Sequence, residues 1–375
     1  MNLKDEIAEA IESLESGNLT MGKKCAQFES DFAQYIGAKH AIFVNSGSTA
    51  NLLMMSVITN PAYKHIKGEV IVPSLTWSTT LWPIIQTGCL PVLVDCDATL
   101  NIDVDKLEKA ITKDTKAIFV AHILGNGCNL DRITELARKH NLILLEDTCE
   151  SLGVDYKGKK LGTFGLMGSY SFYYSHHITT IEGGMVVTDD DGVADLLRCM
   201  RAHGWTRQMY DGHIIENEYP NIDPKFLFAN IGYSVRPTEI QGAFGIHQLK
   251  KLDKYNEQRK QAYRRLRARL EHLPVEFIEP TEGVDPAWFG FTVLTKHRKA
   301  LCRLLDENDI PTRPVIAGNL SQHPALELYE YKAGDLSHSQ KVMEEGLYID
   351  CFNPDVDKIG TLFDYFYGSE IACAL

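Results

Sequence analysis

Apolar and polar positions follow two rhythms along this chain. Short, almost wholly apolar runs recur at Ala41–Val44, Glu69–Val72, Pro91–Val94, Ala117–Val120 and Leu142–Leu145. Between them, segments 49–58, 104–111 and 130–139 repeat apolar residues at helical spacing. Strands apolar on both faces, alternating with helices, predict a parallel sheet covered on both sides. Further strands are predicted near 168–173 and 184–188. The stretch 237–272 reads as one long connecting helix with Gln, Lys and Arg on one face. Beyond it, 275–279, 288–295 and 312–316 read as strands and 297–307 and 336–345 as helices, a small α+β unit. Segment 207–230 has little periodicity and is rich in Asn, Asp, Tyr and Pro. A loop that long is usually functional or lies at an interface. The expectation is an α/β protein with a large, mainly parallel-sheet domain over 1–245 and a small C-terminal domain over 246–375. A chain of 375 residues exceeds what one compact core accommodates.

Composition removes some classes of function. The apolar share is 44% and the charged share 23%, ordinary for a globular protein. A formal charge of −12 argues against a nucleic-acid partner. No run of about 18 apolar residues is present, so no membrane span is expected, and the first residues lack the apolar core of a secretion signal. Nine cysteines are scattered from Cys25 to Cys373 with no C-x-x-C pair. They predict reduced thiols in a cytoplasm rather than a disulfide frame or a zinc site.

Four groups of residues carry candidate chemistry. Asn45-Ser46-Gly47-Ser48-Thr49-Ala50-Asn51 follows a strand and opens a helix. Small residues there let a phosphate reach exposed helical N–H groups, although a plain Ser/Thr cap has the same look. Leu145-Glu146-Asp147-Thr148-Cys149-Glu150 puts acids just past the end of an apolar strand, where ligands sit in open α/β sheets. A buried carboxylate there needs a cationic partner. A protonated pyridine nitrogen is one such partner, and a loop acid capping the next helix is the alternative. Trp77, also just after a strand, could stack on an aromatic ring or belong to the core. The fourth group is Ser169-Tyr170-Ser171-Phe172-Tyr173-Tyr174-Ser175-His176-His177, which runs on to Glu182-Gly183-Gly184.

Here the chain resembles the DegT/DnrJ/EryC1/StrS nucleotide-sugar aminotransferases of the aspartate-aminotransferase fold. In that family Ser-Phe is followed by the Schiff-base lysine and then by Glu-Gly-Gly. Counting back from Glu182, the lysine position holds His176. The resemblance implies a pyridoxal or pyridoxamine 5'-phosphate site. In it Gly47, Ser48 and Thr49 serve the phosphate, Trp77 stacks on the ring and Asp147 holds the pyridine nitrogen. Glu150 is the candidate for the ring 3-hydroxyl, and Ser171 completes the set. Ser234 stands where the family supplies an Asn from a neighbouring subunit. His203, in Arg201-Ala202-His203-Gly204-Trp205, together with Arg236 and Arg313, falls at substrate-binding positions. Lys157, Lys159 and Lys160 flank Gly158 in what reads as an exposed turn, so they are poor substitutes for the missing lysine.

Imidazole cannot condense with an aldehyde, but it moves protons near neutral pH. The cofactor is therefore expected to bind without a covalent link. The resemblance implies glutamate as amino donor, giving 2-oxoglutarate, and His176 as the group that takes a proton from C4′. Loss of the C3 hydroxyl from a nucleotide-linked 4-keto-6-deoxyhexose follows, with release of ammonia. GDP-4-keto-6-deoxymannose is the expected substrate, and a homodimer the expected assembly. An ordinary sugar aminotransferase, which would release no ammonia, and a non-catalytic relic of the fold are the competing classes.

Overall fold

The computed structural model describes residues 3–368; Cys373 lies outside them. In chain order the strands are β1 (His40–Val44), β2 (Glu69–Pro73), β3 (Leu90–Val94), β4 (Thr115–Ala121), β5 (Ile143–Asp147), β6 (Asp155–Tyr156) and β7 (Lys159–Lys160). They continue with β8 (Met167–Ser171), β9 (Gly184–Thr188), β10 (Glu276–Phe277), β11 (Gly290–Leu294), β12 (Thr312–Pro314), β13 (Lys332–Ala333) and β14 (Gly346–Asp350). Eight of them form one sheet in the order β1-β9-β8-β5-β4-β2-β3-β13. Its centre, from β8 to β13, is parallel, and β9 pairs antiparallel with both β8 and β1. This is the large parallel sheet that the apolar runs predict, and residues of β1, β2, β4 and β5 are buried at both sheet faces.

The helix Gly47–Thr59 crosses one face. It is apolar almost all round, and Leu53, Met54, Met55, Val57 and Ile58 are fully buried, as expected of a helix between two layers. A second sheet, β10-β11-β14-β12, is antiparallel and packs around Phe291, Val293, Leu347 and Ile349.

Two features depart from the sequence pattern. The predicted helix over 237–272 is two helices, Glu239–Leu249 and Leu252–Leu270. The chain tightens at Lys250–Lys251, where the Lys251 ammonium pairs with the buried carboxylate of Glu6. The segment 207–230 is not all loop, because Gly212–Glu218 is helical. From the far end of the chain, β13 joins the large sheet beside β3. Asp95, at the end of β3, fixes that return. Its carboxylate accepts from the N–H groups of His338 (3.0 Å) and Ser339 (2.7 Å), from the Ser339 hydroxyl, and from Lys106 Nζ (2.7 Å).

Candidate active site

The C-terminal ends of β1, β4, β5 and β8 open onto one cavity of about 830 Å³. This is the edge where open α/β sheets bind ligands. At the end of β5 the alternation of side chains divides two acids. Glu146 turns inward, fully buried. It accepts from the N–H groups of Gly162 (2.9 Å), Phe164 (2.6 Å) and Gly165 (2.7 Å), and from His122 Nε2 (3.1 Å). The Cys128 N–H donates to His122 Nδ1, so the hydrogen sits on Nε2. Glu146 is therefore a structural staple for the loop 162–165.

Asp147 faces the cavity. It accepts from Asn51 Nδ2 (2.7 Å), the Thr80 hydroxyl (2.7 Å) and the Cys149 N–H (3.1 Å). It is only 7% exposed, yet no Lys, Arg or His among the described residues pairs with it. A carboxylate so placed is held in one orientation and still lacks a cation.

The other predicted groups gather around it. Ser46 caps the helix Gly47–Thr59, its hydroxyl accepting from the Thr49 N–H (3.1 Å). Cap and phosphate cradle are thus compatible readings, since Ser46, Gly47 and Ser48 all line the cavity. A Cβ on Gly47 would lie 2.6 Å from Ser171 Cβ and 2.9 Å from Cys149 Sγ. Only glycine lets the helix N-terminus lie this close to the end of β8. Trp77 is not a core residue. It is 56% exposed and presents its indole to the cavity. Glu150 lines the floor, its Oε2 accepting from the Leu124 N–H (2.9 Å). Burial pushes its carboxyl up to about 8, so it keeps its proton at neutral pH. Arg313, on β12, lines the opposite wall.

His176 lies in the turn after β8, where its N–H donates to the Tyr173 carbonyl (2.9 Å). Its ring packs 5.2 Å from that of Phe289, and its buried Nδ1 has no hydrogen-bond partner. Burial pulls the imidazole down to about 4; the Asp147 charge opposes the shift and that of Arg259 adds to it. His177 is 1% exposed, its Nε2 donating to the Ala287 carbonyl (2.8 Å). The segment is a succession of turns rather than extended chain. An alternation of faces between the two histidines therefore does not hold, and both rings reach Phe289.

Four predicted residues lie outside the cavity lining. The Thr49 hydroxyl donates to Asn45 Oδ1 (2.7 Å). His203, Ser234 and Arg236 gather instead beside Trp205. The His203 ring meets that indole at 4.8 Å, the Arg236 guanidinium lies 5.5 Å from it, and exposed Ser234 bridges to Ala202. Among the described residues no lysine lines the cavity. Lys157 and Lys160 pair with Asp131 and Asp155, and Lys159 donates to the Thr163 carbonyl, at the β6–β7 hairpin. Thr80, Arg259, Phe289 and Tyr348 escape a sequence reading, as does the role of Asn51 toward Asp147. The one usable signal is Asn51, the only amide in a helix whose buried residues are mostly apolar.

A strand-end cavity with a fixed, cation-seeking aspartate beside an open indole defines the class: the fold is that of the pyridoxal-phosphate-dependent aminotransferases. Solved structures of that fold superpose on nearly the whole chain, including a DegT/DnrJ/EryC1/StrS aminotransferase from Brucella abortus at 26% identity and TM-score 0.85, covering 98% of this chain and 96% of that one. The chain belongs to the DegT/DnrJ/EryC1/StrS aminotransferase family, whose model matches residues 2–357. It is 40% identical over 366 residues to GDP-4-keto-6-deoxy-D-mannose 3-dehydratase of Yersinia pseudotuberculosis, covering 94% of this chain and 92% of that one. The structure of the E. coli GDP-4-keto-6-deoxy-D-mannose-3-dehydratase with bound hydrated PLP has TM-score 0.88 and 36% identity, over 96% of each chain. A GDP-4-keto-6-deoxymannose-3-dehydratase with a trapped PLP-glutamate geminal diamine matches equally well, at TM-score 0.88 and 36% identity, over 96% of this chain and 97% of that one.

Proposed function

We propose that this chain removes the C3 hydroxyl of a nucleotide-linked 4-keto-6-deoxyhexose, GDP-4-keto-6-deoxymannose, with glutamate as amino donor and pyridoxal phosphate held without a covalent bond. One observation carries the reading: in an aminotransferase-type cavity the basic groups that line the wall with Asp147 and Trp77 and can shuttle a proton are imidazoles, His176 among them, and among the described residues no lysine lines it. Two relatives of this activity, one with hydrated PLP and one with a PLP–glutamate adduct, support it.

The residues present fit the cofactor. Asp147 lacks the cation that a pyridine N–H supplies, and Gly47 with Ser48 leaves a helix N-terminus open for a phosphate. Trp77 offers a ring face, and Ser171 and Glu150 close the floor. Bound there, pyridoxal phosphate supplies an amine carrier and an electron sink. Asp147, fixed by Asn51 and Thr80, would keep a proton on the ring nitrogen. Glu150, protonated near neutrality, would donate a hydrogen bond to the ring 3-hydroxyl. His176 is neutral at pH 7, so it can accept the C4′ proton. Being no primary amine, it leaves the carrier unanchored, so water can release ammonia together with the 3-deoxy ketosugar.

Arg313 serves the sugar nucleotide. His203, Ser234 and Arg236, outside their own cavity, serve the site of a second copy. The compartment is the cytoplasm, in keeping with free thiols and with the lack, among the described residues, of any helix long and apolar enough to cross a membrane. On this reading the small domain begins at 246, within the helix Glu239–Leu249, and sends β13 back to the large sheet.

The test is direct. The protein is incubated with pyridoxal phosphate, glutamate and GDP-4-keto-6-deoxymannose, and the products are identified by mass and NMR. A 3-deoxy ketosugar with stoichiometric ammonia is expected. A 4-amino sugar without ammonia would establish ordinary transamination instead.

A further inference from the structure

Two arginines among the described residues are nearly buried, Arg201 and Arg259, each 5% exposed. Arg201 is neutralised by Glu29 (2.6 Å). Arg259 has no carboxylate within ion-pair distance among the described residues. It reaches from the helix Leu252–Leu270 into the cavity wall, where its Nη1 donates to the Phe289 carbonyl (3.0 Å) and its buried Nε has no partner. The rings of Phe289 and Phe352 flank the guanidinium at 5.7 and 5.2 Å. The Asp350 charge reaches it, but that carboxylate bonds the Phe352 N–H instead (3.0 Å). A buried cation without a counter-ion is costly. A fixed guanidinium presented to a cavity is suited to a carboxylate.

We propose that Arg259 is the receptor for a carboxylate of the amino donor. The inference rests on the reading of glutamate as donor and adds the residue that seats the carboxylate next to its reacting carbon. Position separates the two anions the site has to hold. Arg259 shares the inner wall with His176 and His177, whose pKa values both respond to its charge. An amino acid's carboxylate lies one bond from the reacting carbon, so it has to sit beside the proton-transferring imidazole. A nucleotide diphosphate lies farther from the reacting sugar carbons and suits exposed Arg313.

Glutarate, which has both carboxylates and no amine, and GDP serve as unreactive probes on the pyridoxal-phosphate-loaded protein, with binding read by calorimetry. Arg259→Gln is expected to weaken glutarate about 10- to 100-fold and to leave GDP within about twofold. Arg259→Lys, which keeps the charge but loses the fork, should fall between. In the same variants the glutamate half-reaction should show a raised KM, a larger effect than any on sugar dehydration started from the pyridoxamine form, where Arg259 acts only through the charge it presents to His176. Loss of GDP binding alone would make Arg259 a diphosphate ligand and overturn the proposal. Equal loss of both probes would make it structural, and unchanged glutarate binding would dismiss it. Should the variants fail to fold, a complex of the unmodified protein with glutarate decides: a carboxylate on the Arg259 guanidinium supports the assignment, and one seated elsewhere refutes it. If glutarate binding depends on Arg259 but glutamate fails to aminate the cofactor, the amino-donor reading falls and the carboxylate site stands.

Discussion

His176 and Glu150 are perturbed in ways that suit complementary tasks. Both shifts are burial effects that favour the neutral form, so one group enters the reaction as a base and the other as a hydrogen-bond donor. His176→Asn should keep the fold and bind pyridoxal phosphate, because the phosphate, ring and nitrogen contacts come from other residues. Turnover should fall by about 10²–10⁴-fold; measurable cofactor absorbance with normal turnover would remove His176 from the mechanism. His176→Lys should acquire a borohydride-reducible bond to the cofactor and dehydrate poorly. His177→Asn breaks a buried tether to Ala287 rather than the proton path. It should lower the melting temperature while leaving most of the turnover at permissive temperature. Glu150 adds a pH signature. Its folded pKa of about 8 lies above the ordinary carboxylate value. The proton-bound folded state is therefore favoured below the unfolded pKa, and that stability is lost as pH rises from about 4.5 to about 8. Thermal melts of apo Glu150→Gln should gain on the unmodified protein across that window, and a constant gap would show that Glu150 ionises normally. His176 works in the opposite sense: with a folded pKa near 4, it costs stability as pH falls from about 6.5 toward 4.

Elements turn those residues into a site, and here sequence and structure meet unevenly. The parallel strands were legible because doubly buried strands are apolar throughout, and Asp147 was legible because it ends one of them. Trp77 was ambiguous, since an indole after a strand is equally at home in a core, and only its 56% exposure separates the readings. Glu146 and Asp147 are neighbours that the sequence cannot rank. The strand's alternation sends one to staple residues 162–165 and the other to the cavity. The roles of Asn51, Thr80 and Arg259 were illegible because they lie in long-range partners: Asn51 and Asp147 are 96 positions apart. The helix Gly47–Thr59 is the element on which the site turns. Gly47→Ala would drive a methyl into Ser171 and Cys149. Overpacking of this kind costs about 1–3 kcal/mol, and the helix N-terminus would have to move off β8. Absorbance titration should show pyridoxal phosphate bound at least about tenfold more weakly, with melting only modestly lowered. Unaltered cofactor affinity would mean that the helix N-terminus does not hold the phosphate.

For the whole molecule, the unexplained surface is apolar. In the helix Lys4–Ser16, Ile7, Ile11 and Leu14 form a stripe about half exposed, and Tyr210, Phe226, Phe228 and Ile231 stand out between 207 and 231. Monomers seldom leave so much apolar area in water. His203, Ser234 and Arg236 lie next to the second of these patches and away from their own cavity. A closed twofold dimer, as proposed above, would account for both facts by covering the apolar faces and carrying these residues to a partner's site. Sedimentation should give a dimer at working concentration. Complementation tests the sharing. His176→Asn removes the proton carrier of its own chain, whereas Arg236→Ala damages only the site of the partner. Each homodimer should be inactive. In a hybrid dimer one site receives both defects and the other receives neither. Equal subunits unfolded together and reassembled at random should therefore recover about a quarter of the unmodified activity. If every site were built from a single chain, mixing would recover nothing, and Arg236 would have to act within its own subunit.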